Sequence, residues 1–158
     1  MIMIVKIKKL SADAVIPVKA YERDFCYDVV AVSEEEVAPN VWKYGLGFAL
    51  EIDSSRAWSP NTRYAVDFRP RSSVWKTGMV LSNCEGTIDE GYRGEVCAVF
   101  YHVMPEMPRY RVGDRIGQIK IGSTVPIEFV EVEELSASER GEKGYGSSGT
   151  GIAREGGN

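Results

Sequence analysis

The sequence predicts an all-β domain, a sandwich or barrel of short strands. Three observations carry that expectation. Apolar and polar residues alternate with period two in several short runs, the spacing that puts every second side chain on one face of a strand. Turn-forming residues separate those runs, at Pro39-Asn40, Ser59-Pro60-Asn61, Asn83 through Gly86, Pro105, Pro108 and Gly113-Asp114. No long stretch keeps an unbroken helical period of 3.6.

The elements follow in chain order. Val5 and Ile7 alternate with Lys6 and Lys8, predicting a first strand. The opening Met1-Ile2-Met3-Ile4-Val5 run is too short for a signal sequence or a membrane span. Residues 27–32 are rich in β-branched and aromatic types, as strands prefer. Leu46, Phe48, Leu50 and Ile52 alternate with Gly47, Ala49 and Glu51. Residues 53–63 are polar, with Ser, Asn and Pro, and read as a surface loop. Tyr64, Val66 and Phe68 alternate with Ala65, Asp67 and Arg69, and a short helical turn is expected near 72–76. Residues 95–103 and 127–132 read as strands by composition, and Ile119 and Ile121 flank Lys120 in a further short run. From 136 onward glycines accumulate and core-forming residues nearly vanish, the signature of a flexible terminus. The expected organisation is one β domain over 1–135 and a glycine-rich arm over 136–158.

Length and composition bound the function. With 158 residues and 44% hydrophobic content, one packed domain is sufficient. A net charge of -4 argues against a nucleic-acid binder that works by neutralising phosphates. A small anionic ligand stays open, because a few local arginines override net charge. Cys26, Cys84 and Cys97 form no C-x-x-C pair and His102 is the single histidine, so a Cys/His zinc site lacks ligands. The odd cysteine count and the lack of a signal sequence point to a reducing, cytoplasmic setting.

Five segments carry candidate chemistry. Asp28 is an acid inside an apolar strand and needs a partner or a metal, since an unpaired buried charge is costly. Arg69-Pro70-Arg71-Ser72-Ser73 clusters guanidinium groups and hydroxyls, either for phosphate or as a solvated turn. The glycine-bounded segment from Gly86 to Gly94 holds Asp89 and Tyr92; Asp89 is either a turn residue or a general base facing a cleft. Gly113-Asp114-Arg115-Ile116-Gly117-Gln118 reads as a turn leading into a strand. In the tail, Arg140 precedes Gly144-Tyr145-Gly146-Ser147-Ser148-Gly149, either a disordered end or a phosphate lid of converging N–H and hydroxyl donors. It is not a Walker loop, because G-x-x-x-x-G-K-[ST] is absent.

In this order the five segments resemble the motifs of the trimeric dUTPase family: Tyr27-Asp28-Val29, Pro70-Arg71-Ser72-Ser73-Val74, Gly86 to Gly94, Gly113 to Gln118, and Arg140-Gly141 with Gly144 to Gly149. The resemblance implies a distorted jelly-roll β-barrel and a homotrimer with shared active sites. It implies magnesium-dependent hydrolysis of dUTP to dUMP and pyrophosphate by water attack on the α-phosphorus. Asp89 would take the water's proton, and Tyr92 would pack under the deoxyribose. Asn83, Thr87, Ile88 and Cys97 would read uracil. Arg71, Ser72, Ser73 and Gln118 would hold phosphate oxygens, and Asp28 would orient magnesium through water. Arg140, Tyr145, Gly146, Ser147 and Ser148 would close over the substrate. The chain departs from the commonest pattern at Phe25, Cys26, Ser73, Gly117, Tyr145 and Ser148. The nearest rival, a dCTP deaminase, has a glutamate in the strand after the third motif, where this chain has Val99. The other rival is a regulatory binding module on the same scaffold.

Overall fold

A computed structural model describes residues 2–56 and 61–144. The chain divides into two compact units, Met1–Pro126 and Ile127–Asn158. The first unit is all-β. Its ten strands are β1 (Val5–Lys9), β2 (Tyr27–Val30), β3 (Ser33–Ala38), β4 (Val41–Gly45), β5 (Phe48–Ile52), β6 (Arg63–Pro70), β7 (Met79–Leu81), β8 (Gly86–Asp89), β9 (Cys97–His102) and β10 (Arg115–Thr124). They form three antiparallel sheets, β1-β5, β2-β10-β6-β8 and β3-β4-β9-β7. Single 3₁₀ turns occupy Ser54–Arg56 and Ser72–Lys76, the second where the sequence predicts a helical turn.

The apolar set read from the sequence is buried, and Ala49 of the alternate set on β5 is buried as well. Phe48, Leu50 and Ile52 of β5 and Tyr64, Val66 and Phe68 of β6 all face the core, because the strand period of two sends one set inward. Phe100 on β9 is the hub. Its ring meets Phe68, Tyr44 and Tyr110 edge-on at centroid distances of 6.3, 6.0 and 5.4 Å. Each such pair adds about 0.5–1.5 kcal/mol beyond simple burial. The Tyr44 hydroxyl donates to the Tyr110 carbonyl at 2.9 Å, so this buried polar tip is satisfied.

One expectation needs correction, and one strand was not expected. Residues 127–132 are not a strand; they lie in the second unit, with Phe129 91% exposed and no strand assigned. A strand exists only where a neighbour takes its backbone hydrogen bonds, and composition alone supplies none. Conversely, β3 is a strand that composition hides. Its Ser-Glu-Glu-Glu-Val-Ala run lacks alternation because it is an edge strand, where charged side chains guard an open flank. Of the polar loop at 53–63, residues 57–60 lie outside the described residues.

Candidate active site

The structure gathers three of the expected site residues, Asp28, Arg71 and Gln118, at one carboxylate, and Arg115 joins them. Asp28 on β2 is 5% exposed, the single buried charged residue among those described. Its Oδ1 lies 3.2 Å from Arg71 Nε and accepts from Gln118 Nε2 at 3.1 Å; its Oδ2 accepts from Arg115 Nη1 at 3.0 Å. The pairing resolves the cost of an acid inside a strand: two cations and one amide replace the water it lost. Arg71 sits between β6 and the 3₁₀ turn, where Pro70 ends the strand, and Ser72 and Ser73 follow on that turn.

Arg115 is not among the residues that the sequence marks for the site, where it reads only as part of a turn leading into a strand. The reason is parity. Arg115 and Gln118 are three apart, so a regular strand would aim them to opposite faces. The register shows a bulge instead: Arg115 pairs with Val30 and Gly117 with Val29, so one extra residue is absorbed between them. The bulge restores parity, and both side chains reach Asp28 while Ile116 turns fully into the core. Gly117 is required next to it, because a Cβ there would overlap the Phe68 ring.

A second cluster forms around β8. Alternation along Gly86–Asp89 buries part of Ile88 against the core and leaves Thr87 and Asp89 exposed. The turn after β8 returns on itself: the Tyr92 amide donates to the Asp89 carbonyl at 3.0 Å, and the Tyr92 hydroxyl to the Glu95 carbonyl at 3.1 Å. A cavity of about 380 Å³ is lined by Thr87, Ile88, Asp89, Tyr92 and Cys97, together with Lys43 of β4. A smaller one of about 180 Å³ adjoins it, shares Thr87, Ile88 and Cys97, and reaches Asn83 and Val99. Burial, and then the nearby Glu95 charge, push the Cys97 thiol above its ordinary range, so it stays protonated and serves as a wall rather than a nucleophile. Lys43 lines this cavity without having been anticipated. A hollow of about 530 Å³ also touches Asp89; its lining sets Asp67, Asp89 and Glu90 against Arg63, and Asp67 is already paired with Lys120.

The two clusters are far apart within one chain. Asp89 pairs with Ala65 on β6, and Arg71 follows Ala65 by six residues. At roughly 3.3 Å per residue that is about 20 Å. Three strand steps also separate β8 from β2. Arg140 belongs to the second unit, where its Nε donates to the Lys143 carbonyl at 3.0 Å. Tyr145, Gly146, Ser147 and Ser148 lie outside the described residues.

Comparison with known proteins identifies the family. The dUTPase family model fits residues 12–149. The deoxyuridine 5'-triphosphate nucleotidohydrolase of Nautilia profundicola is 36% identical over 149 residues, covering 93% of this chain and 99% of the relative. That of Helicobacter hepaticus is 37% identical over 156 residues, covering 98% and 92%. Among solved structures, the dUTPase of Staphylococcus bacteriophage 80alpha with dUpNHpp superposes with a TM-score of 0.75 at 26% identity, covering 93% of this chain and 99% of that one. With the ordered motifs, the all-β fold and near full-length matches in agreement, the chain belongs to the dUTPase family.

Proposed function

We propose that this protein hydrolyses dUTP to dUMP and pyrophosphate by water attack on the α-phosphorus, with Asp89 as general base. The observation that carries the reading is the convergence of residues 28, 71, 115 and 118, far apart in sequence, on one buried carboxylate. A surface with two guanidinium groups and an amide held in register suits phosphate oxygens. The Arg71 Nε–H is buried and makes no hydrogen bond, since its contact with Asp28 is an ion pair only. The side chain is still 27% exposed, so the guanidinium keeps an open end for a phosphate oxygen. Ser72 and Ser73 add hydroxyls at the same corner.

The β8 cluster supplies the other half. Asn83 and the backbone around Thr87, Ile88 and Cys97 line the two cavities and would pair with the uracil edge. A mismatched base leaves a buried polar group unpaired, which costs roughly 1–3 kcal/mol. Tyr92 would wall the deoxyribose, and Asp89 at the cavity rim would accept the proton of the attacking water, a contribution of typically ~10²–10⁴-fold. Arg140, Tyr145, Gly146, Ser147 and Ser148 would close over the triphosphate and exclude water.

Magnesium fits as a partner of the substrate. Among the described residues no three metal-ligating side chains cluster, and three contacts already engage the Asp28 carboxylate. Magnesium prefers phosphate and water oxygens with few protein ligands, so Asp28 would orient it through water. When bound, it neutralises charge on the phosphates.

The separation of the two clusters supports a site shared between copies, one copy's Asp89 half meeting another copy's Asp28 half, as in the homotrimer that the family resemblance implies. The assay incubates the protein with dUTP or dCTP, with and without magnesium, and identifies products by chromatography. dUMP and pyrophosphate from dUTP alone is the expected result; products from dCTP would favour the deaminase, and tight dUTP binding without turnover the regulatory module. Val99, where the deaminase has its acid, presents no carboxylate. Sharing is tested by co-refolding Asp89→Asn with Arg71→Gln chains: regained turnover is expected, and none would place the whole site in one chain.

A further inference from the structure

Arg93 has no role in the reading above, yet the structure gives it a defined set of contacts. It stands in the turn after β8, and its Nη1 donates to the carbonyl oxygens of Glu90 at 2.6 Å and Tyr92 at 2.9 Å. Its Nε lies 3.8 Å from Glu51 Oε2 on β5, while Glu51 Oε1 accepts from Lys6 Nζ on β1 at 2.5 Å. The turn needs a brace. It contains Gly91 and Gly94, residues with the widest backbone freedom, and open space surrounds Gly91 where a side chain would be. The same turn carries Asp89 and Tyr92, joined through the Tyr92 amide and the Asp89 carbonyl.

We infer that Arg93 is a positioning residue: its guanidinium gathers the carbonyls of Glu90 and Tyr92, Glu51 anchors it to the β1-β5 ribbon, and the Asp89 carboxylate is thereby held at the cavity rim. The carbonyls meet Nη1 and the carboxylate faces Nε, two separate nitrogens of one rigid plane, a division that the single ammonium nitrogen of lysine does not reproduce. The inference rests on the hydrolase reading for its effect on rate, and on the contacts alone for its effect on the loop.

The test uses full-length Arg93→Lys, Arg93→Gln and Glu51→Gln proteins. Arg93→Lys lowers kcat for dUTP about tenfold, with KM within about twofold, because a small displacement of a reacting group is felt in rate before binding. Hydrogen exchange of the Tyr92 amide speeds up about tenfold as the turn opens more often, and Glu51→Gln shifts both readouts the same way by less. Wild-type kcat and exchange in both Arg93 variants would overturn the inference. So would a fall in unfolding midpoint that accounts for the lost activity while Tyr92 exchange stays unchanged. If the unmodified protein does not hydrolyse dUTP, the functional reading fails, and the exchange measurement still decides the brace.

Discussion

Replacing Asp28 by asparagine keeps the shape of the side chain and removes its charge, so it isolates what the carboxylate contributes. At 5% exposure the asparagine has no room to turn to solvent. It offers one oxygen and one NH₂ where two donors and a further cation now meet: Gln118 donates at Oδ1 and Arg115 at Oδ2, and Arg71 is ion-paired at Oδ1. The oxygen stays on the Arg71–Gln118 side, because the Arg71 side chain is 27% exposed and Arg115 51%, and water relieves Arg115 more easily. Losing the ion pair with Arg71, whose side chain is 27% exposed, costs about 1 kcal/mol after solvent screening. The donor–donor contact at Arg115 adds about 1 kcal/mol after solvent screening. The sum, about 2 kcal/mol, lowers Tm by roughly 4–8 °C for a chain this long. The assay is urea and thermal unfolding of both proteins at one matched concentration, because assembly makes midpoints concentration-dependent. An unchanged or raised stability would refute the reasoning: it would mean that desolvating the carboxylate costs more than its three partners return, as some buried ion pairs do.

Asp89→Asn should keep dUTP binding, measured by calorimetry, and lose turnover by ~10²–10⁴-fold; near-normal turnover removes Asp89 as the base. Deleting residues 140–158 should abolish most hydrolysis while the first unit keeps its far-UV circular dichroism, and an unaltered rate would end the closing role of the arm. Glu34→Gln tests a pH effect. The Arg109 hydrogen bond holds the Glu34 carboxyl below its ordinary range, with help from Val112 and Arg111. A depressed carboxyl contributes stability above its unfolded pKa, about 4.3, and loses it as pH falls through the lower folded value. Glu34→Gln should therefore cost about 1–3 kcal/mol at pH 7, and the two stability curves should converge below about pH 4; a gap that persists in acid contradicts the assignment.

Much of the fold is legible because a strand's side-chain period is a local property. The inward sets Phe48-Leu50-Ile52 and Tyr64-Val66-Phe68 can be read directly, since sheet geometry sends alternate residues to one face whatever the partner. The glycine- and proline-bounded turns are equally local, since their backbone angles depend on the residues themselves. The ordered segments around Asp28, Arg71, Asp89 and Gln118 name the chemistry, because those side-chain types suit phosphate and proton transfer wherever they meet.

Pairing is what the sequence leaves undetermined. Whether residues 127–132 form a strand and whether the acidic run of β3 does depends on a neighbour's hydrogen bonds, and no composition encodes that neighbour. The bulge between Arg115 and Gly117 reverses the face on which Arg115 points, and it is visible only in the register with β2. The distance between the Asp89 and Asp28 clusters is likewise a property of strand order, β2-β10-β6-β8. Side-chain chemistry and strand periodicity were thus determined by the sequence alone. The convergence on Asp28, and its separation from Asp89, were decided by tertiary contacts, because hydrogen-bonded registers join residues far apart in the chain.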